Sequence, residues 1–166
     1  KNLKKILKLT NKIGKKSRGG DLVNKKYFVI QIGDKSFYDF LLSLGLTPAK
    51  SKTIGYLKIP RVYFRDFLRG CIDGDGNMDL FKHPESKFIQ LRIRLSSASI
   101  DFLKWIKNEI RDILKIQTGW IGNKRKGVYT LVYAKADSKK ILSFIYYHGV
   151  KYFLKRKRSQ IKLFIS

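Results

Sequence analysis

Apolar residues recur along this chain at two periods, and the changes of period mark its elements. From Pro60 onward, Tyr63, Phe64, Phe67, Leu68, Cys71 and Ile72 fall at i, i+1, i+4, i+5, i+8 and i+9. That is one apolar face at the 3.6-residue repeat, so a helix is predicted to start near Pro60, whose fixed φ and missing N–H suit a first turn. Gly70 and Gly74 lie on a second stripe, where a partner helix can approach backbone to backbone. Past the helix the period falls to two. Ile89, Leu91, Ile93 and Leu95 alternate with Gln90, Arg92, Arg94 and Ser96, which predicts a strand with one core face and one cationic face.

Strands at 77–81 and 87–96 bracket a polar turn containing His83, giving a first hairpin. Ser99 can cap a helix over 100–114, with Leu103, Ile106, Ile110, Ile113 and Leu114 as its buried stripe and Trp105 in the core. A second hairpin pairs 117–123 with 127–135 around Lys124, Arg125 and Lys126, a helix follows over 138–147, and a basic segment, KYFLKRKRSQIK, comes last. Upstream, residues 1–9 read as the tail of a helix, 12–26 as a hairpin arm with a basic tip, and 27–32 as a strand. A helix over 36–45 carries Phe37, Phe40, Leu41 and Leu44 on one face and stops at Gly45, and a connector occupies 47–59. Most Tyr and Phe residues fall on periods that point to the core.

The elements repeat. KNLKKILKL at 1–9 resembles KNEIRDILKI at 107–116, with Ile6 to Leu9 lying over Ile113 to Ile116 at an offset of 107, and the next strand and helix follow at an offset of 103, Asp34 over Asp137. Residues 1–58 therefore read as the end of a first half plus a connector, and 59–166 as a complete second half.

Charge narrows the class of partner. The 166 residues carry 37 Lys and Arg against 12 Asp and Glu, a net charge of +25, which points to a polyanion and best to nucleic acid. No apolar run approaches the roughly 18 residues of a membrane span, so no membrane partner is expected. The single cysteine, Cys71, excludes an internal disulfide and sits on the apolar face as core packing, and an intracellular protein is expected. No signal peptide is visible.

Two acids occupy an unfavourable place. Asp73 and Asp75 end the predicted helix, where the dipole disfavours a carboxylate by roughly 0.3–1 kcal/mol. A hard cation such as Mg²⁺ would compensate, since it takes one or two carboxylates, a carbonyl and several waters. Asp-Gly-Asp-Gly is equally compatible with a plain turn. A calcium loop fails, because Met78 and Pro84 stand where Gly and Glu are needed. His83 and His148 have no metal-ligand spacing and read as surface residues.

Residues 68–76, LRGCIDGDG, resemble the signature helix of the LAGLIDADG homing endonucleases at Leu, Gly, Ile, both Asp and the final Gly. The resemblance implies an α+β fold in which an antiparallel β-saddle carries helices on one face, with a pseudo-two-fold repeat and motif helices that meet at positions such as Gly70 and Gly74. It implies site-specific cleavage of double-stranded DNA with two or more Mg²⁺ ions, Ca²⁺ being a substitute that does not cut. Asp75 would be the catalytic, metal-binding acid beside the Gly74 carbonyl, and Asp73 structural. Lys135 would support the active site, its counterpart in the first half being Ile32, and Leu95 or Ser96 stands where a polar residue near the attacking water is expected. Gln90, Arg92, Arg94, Ser96 and Asn77 would face DNA, and Lys124, Arg125, Lys126, Lys15, Lys16, Arg18 and Lys25 would meet phosphates. Solvated exterior charge is the alternative for Arg92 and Arg94. The offset of 107 carries the matching first motif to before Lys1. The facing helix is thus expected from an N-terminal segment, in cis or in trans, or from a second copy. A maturase or transcription regulator of the same fold, binding DNA or RNA without cutting, is the alternative function.

Overall fold

The computed structural model describes residues 2–17, 27–85, 87–125 and 127–164; of Asn2, Lys124 and Arg125 the backbone alone is described. The chain divides into two compact units, Lys1–Phe40 and Leu41–Ser166. The division expected at residue 58 followed the repeat, whereas the connector packs with the motif-bearing unit. Leu57 is buried, and Lys58 N–H donates to Leu44 O at 3.0 Å.

In the first unit a short helix α1 (Asn2–Ile6) precedes an antiparallel hairpin of β1 (Gly14–Lys16) and β2 (Tyr27–Val29), with Lys15 opposite Phe28. β2 is shorter than the expected 27–32 because the Gln31 carbonyl accepts from the Asn11 side chain at 2.8 Å, outside the ladder. Next comes α2 (Lys35–Ser43). Asp34 Oδ1 accepts from Phe37 N–H at 2.9 Å and opens it. Gly45, at φ +93°, closes it, with Gly45 N–H donating to Leu42 O and Leu46 N–H to Leu41 O.

The motif helix α3 spans Arg61–Gly74, and Pro60 precedes it in the capping position. Phe64, Leu68 and Ile72 are buried, and Phe67 and Cys71 half-buried. Tyr63 is 61% exposed, so the buried face is narrower than the spacing implied. There follow β3 (Gly76–Lys82), β4 (Ile89–Ser97), α4 (Ile100–Leu114), β5 (Trp120–Arg125), β6 (Val128–Tyr133) and α5 (Lys135–Ile145). The four strands form one antiparallel sheet in the order β3-β4-β6-β5. This is the expected α+β succession of helix, hairpin, helix, hairpin and helix.

One face of the sheet packs on the helices. Met78, Leu91, Ile93, Leu95 and Leu131 meet Leu68, Ile72, Leu103, Ile106, Ile110, Ile141 and Leu142 in a continuous core. Trp105 is in the core, ringed by Tyr56, Phe64, Phe67 and Phe102 at centroid distances of 5.5 to 6.0 Å. Ser99 caps α4 by accepting from Phe102 N–H, and its hydroxyl donates to Ile54 O at 2.5 Å, which fastens the connector to the helix start. β5 begins at Trp120 because Gly119, at φ +90°, runs against the Tyr133 ring, only 2.5 Å from where a Cβ would lie. The expectation that most aromatic residues are core fails at Phe28, Tyr56, Tyr63, Phe88 and Trp120, each at least half exposed.

The basic segment that closes the sequence is folded. It forms α6 (Lys155–Gln160) and a 3-10 turn over Lys162–Phe164, with Ile161 fully buried. Among the described residues no helix is long and apolar enough to cross a membrane.

Candidate active site

The stretch from Tyr146 to Lys157 is strapped to the motif helix by polar contacts. Buried Arg69 donates from Nε to Tyr152 O at 2.8 Å and from Nη1 to Ile145 O at 3.1 Å, and its Nη2 pairs with Asp66 at 2.6 Å. Asp73 accepts from the Tyr146 hydroxyl at 2.5 Å and from Leu154 N–H at 2.9 Å. Those bonds offset the adverse dipole at the helix end and leave Asp73 fully engaged. Burial first, and then this hydrogen bond, raise the Tyr146 pKa.

The strap carries a lysine under the helix end. Lys157, 6% exposed, donates from Nζ to Ile72 O at 2.7 Å and to Gly76 O at 2.5 Å. A helix C-terminus leaves carbonyls without donors, and an ammonium placed there satisfies them and the dipole together. Burial, and next Arg156, push the Lys157 pKa down, while Asp73 and Asp75 oppose that shift. The sequence reading missed this residue. Its signal was there: Phe153, Lys157 and Ile161 fall four apart, which sets the lysine on an apolar stripe.

Asp75 caps α3 with its N–H directed to Cys71 O and Ile72 O, and its side chain is exposed. Among the described residues its carboxylate has no ion pair or hydrogen bond. In a chain with net charge +25 this is unusual, and it leaves both oxygens open. Burial first, then the Asp75 charge, push the Cys71 thiol up to about 12. Asp75 lines a cleft of about 390 Å³ with Lys50, Ser51, Cys71, Ser96 and Ser97. Of the two residues expected near the attacking water, Leu95 is buried, while Ser96 is exposed and shares a hydrogen bond with Thr130 at 3.0 Å.

Lys135 does not stand at this site. It begins α5 instead of ending a strand, and its Nζ lies over the rings of Phe88 at 5.8 Å and Phe164 at 6.0 Å. Phe88 precedes β4 at the turn end of the hairpin, whereas Asp75 adjoins Gly76 at the opposite end. Seven residues of strand separate the two ends, roughly 20 Å.

The outer face of the sheet is polar. Asn77, Asp79 and Phe81 stand opposite Arg94, Arg92 and Gln90, and Ser96 stands opposite Thr130. Arg94 Nη2 pairs with Asp79 Oδ2 at 3.0 Å, and the Arg92 guanidinium lies over the Phe81 ring at 4.8 Å. Trp120, half exposed, belongs to the same face through its pairing with Val132. Lys124 and Arg125 fall in β5, while Arg18, Lys25 and Lys126 lie outside the described residues. Lys15 and Lys16 are exposed on β1 of the other unit. Gly70 and Gly74 are exposed, with nothing within 4 Å of an added Cβ.

The donors at the helix end fit a hard cation in part. Asp75 offers a free carboxylate, and the Gly74 carbonyl lies in a last turn that lacks intrahelical donors. No group of three or more His, Cys, Asp or Glu is gathered anywhere among the described residues, so further ligands would be waters, phosphate oxygens or a facing acid.

No family model matches the sequence, and no curated protein matches it. Solved homing endonucleases are similar to it in structure. The homing endonuclease I-TnaI is 20% identical, with 60% of this chain and 67% of that one covered at a TM-score of 0.43. The LAGLIDADG homing endonuclease I-GzeII, in complex with its DNA target, is 18% identical over 79% of this chain and 44% of its own, at 0.44. The LAGLIDADG meganuclease I-AabMI, bound to uncleaved DNA, is 19% identical over 60% of this chain and 34% of its own, at 0.43. The chain spans less than half the length of the last two.

Proposed function

We propose that this chain is the motif-bearing half of a site-specific DNA endonuclease, which receives duplex DNA on the outer face of its sheet and cuts at the Asp75 end. The observation that carries the proposal is the open Asp75 carboxylate with the buried Lys157 ammonium braced behind it. The lysine holds the carbonyls of Ile72 and Gly76, the residues on either side of the acid's turn, and so fixes the backbone from which Asp75 projects. Its charge also tempers repulsion between Asp75 and a phosphate brought into the cleft. Asp75 and the Gly74 carbonyl would hold Mg²⁺, which supplies an activated water and stabilises the leaving oxygen in phosphodiester hydrolysis. Ca²⁺ would occupy the same donors without supporting the cut. Ser96 and Ser97 line the cleft where an attacking water can be oriented.

One carboxylate makes half of a paired site. The exposed Gly70/Gly74 stripe supports a facing motif helix, supplied by an N-terminal segment or by a second copy. Gln90, Arg92, Arg94, Ser96 and Asn77 would face the major groove, and the basic loop tips would meet phosphates. The test is to select a bound duplex with the full-length protein, place it in a plasmid and add Mg²⁺. Linear product supports an endonuclease; tight binding with an intact plasmid supports the maturase or regulator reading.

A further inference from the structure

Asp79 is out of place on a surface read as DNA-binding. It is the sole acid in any strand among the described residues, and it stands mid-way along the polar face, directly opposite Arg92. A carboxylate there repels every phosphate that approaches. Its contacts, however, are directed. Asn77 Nδ2 donates to Oδ1, and Oδ2 lies 3.0 Å from Arg94 Nη2, the residue one row nearer the cleft.

The two arginines of β4 lean the same way. Arg94 reaches the residue opposite Arg92, and Arg92 reaches the residue opposite Gln90, so each guanidinium is shifted one row toward the hairpin turn. One rests against a carboxylate, the other against a ring. The Arg94 contact engages Nη2, and Oδ2 has no aligned hydrogen bond of its own while being shielded from solvent. The guanidinium is thus oriented, yet among the described residues its remaining donors are uncommitted. The same face forms an open concavity of about 760 Å³ lined by Asp79, Phe81, Arg92, Arg94 and Gln160.

Resting on the reading of this face as a DNA surface, we propose that Asp79 is a specificity-determining positioning residue: it turns Arg94 toward a base edge and withholds it from phosphates. A phosphate gains little from Arg94, because the Asp79 charge behind the guanidinium cancels much of its attraction for an anion. A guanine edge is neutral, so O6 and N7 can accept from the free side of the fork while the carboxylate stays behind it. The acid therefore weakens binding to every duplex and weakens it least where guanine is presented.

The experiment is selection from a random duplex library by the full-length protein, Asp79→Asn and Arg94→Ala, with the base preference read at each position and affinity for unselected duplex measured at fixed salt. The wild-type protein is expected to enrich guanine at one position that Arg94→Ala erases. Asp79→Asn should cut the preference at that same position about fivefold or more, leave other positions unchanged, and tighten binding to unselected duplex about two- to fivefold. Asp79→Glu, which keeps the charge, should restore part of the preference. Uniform tightening with an unchanged profile would overturn the proposal by reducing Asp79 to a charge effect, and so would flattening at every position or at a position Arg94→Ala does not touch. If the wild-type protein enriches no sequence, the DNA-reading function itself falls, which is a distinct result.

Discussion

The side-chain ammonium of Lys157 donates to the main-chain carbonyl of Ile72 across 2.7 Å, joining residues 85 positions apart in sequence. That bond turns the last basic segment into part of the motif helix's end. Lys157→Met keeps the apolar length of the side chain but removes the ammonium donor from the carbonyls of Ile72 and Gly76. We expect a stability loss of about 1–3 kcal/mol in urea unfolding. Cleavage should fall further than the unfolded fraction accounts for, when both are measured at one temperature.

Asp73 and Asp75 are two residues apart and do different work. Asp73→Ala should release the Leu154 N–H and the Tyr146 hydroxyl, with a loss of about 1–3 kcal/mol and faster tryptic cutting near Lys155. Thermal stabilisation by Mg²⁺ should survive in Asp73→Ala and disappear in Asp75→Asn. Equal loss of the Mg²⁺ effect in both variants would contradict this division of roles.

The Cys71 thiol gives a pH signature. Its pKa is raised in the folded protein, from 9.0 to about 12, so the unfolded chain gives up this proton first as pH rises. The stability it contributes is complete below about pH 9 and is lost as pH climbs toward 12. Labelling by a thiol reagent at pH 8 should be slow in the native protein and fast in urea. Rapid native labelling would show that the stripe beside the connector is open.

Binding to duplex DNA should be steeply salt-dependent. If roughly 6–10 phosphates are neutralised, affinity falls about 10³–10⁵-fold between 50 and 200 mM salt. Lys15→Ala and Lys16→Ala should weaken all sequences alike and flatten that slope, whereas Arg92→Ala and Arg94→Ala should weaken a selected site by about 1–3 kcal/mol more than unselected DNA. Salt-independent affinity in an anisotropy titration would rule out a polyanionic partner.

Much of this arrangement is legible in the sequence because it is periodic. Ile89 to Ser96 alternate, Leu103 to Ile110 repeat at helical spacing, and both patterns describe elements whose burial is decided locally. Lys157 and Lys135 show where that reasoning stops. KRKR reads as solvated charge, and although the Phe153, Lys157, Ile161 spacing sets its third residue on an apolar stripe, that spacing does not say that the ammonium meets carbonyls more than 80 positions upstream. Lys135 is expected at the active site only through the resemblance, as a lysine at the end of a strand. Where an ammonium points depends on which rings lie near it, here Phe88 and Phe164. Asp79 escaped notice for a similar reason, since its meaning lies in the diagonal partner that strand register supplies.

Whether Asp75 is the metal-bearing acid of a nuclease can be read from a single plasmid assay. Full-length protein and Asp75→Asn are incubated with a plasmid carrying the selected site, in Mg²⁺ and separately in Ca²⁺, and supercoiled, nicked and linear forms are scored beside binding by anisotropy. Linear product is expected from the wild-type protein in Mg²⁺ alone, and from Asp75→Asn bound DNA with no linear product. Full linearisation by Asp75→Asn would contradict it.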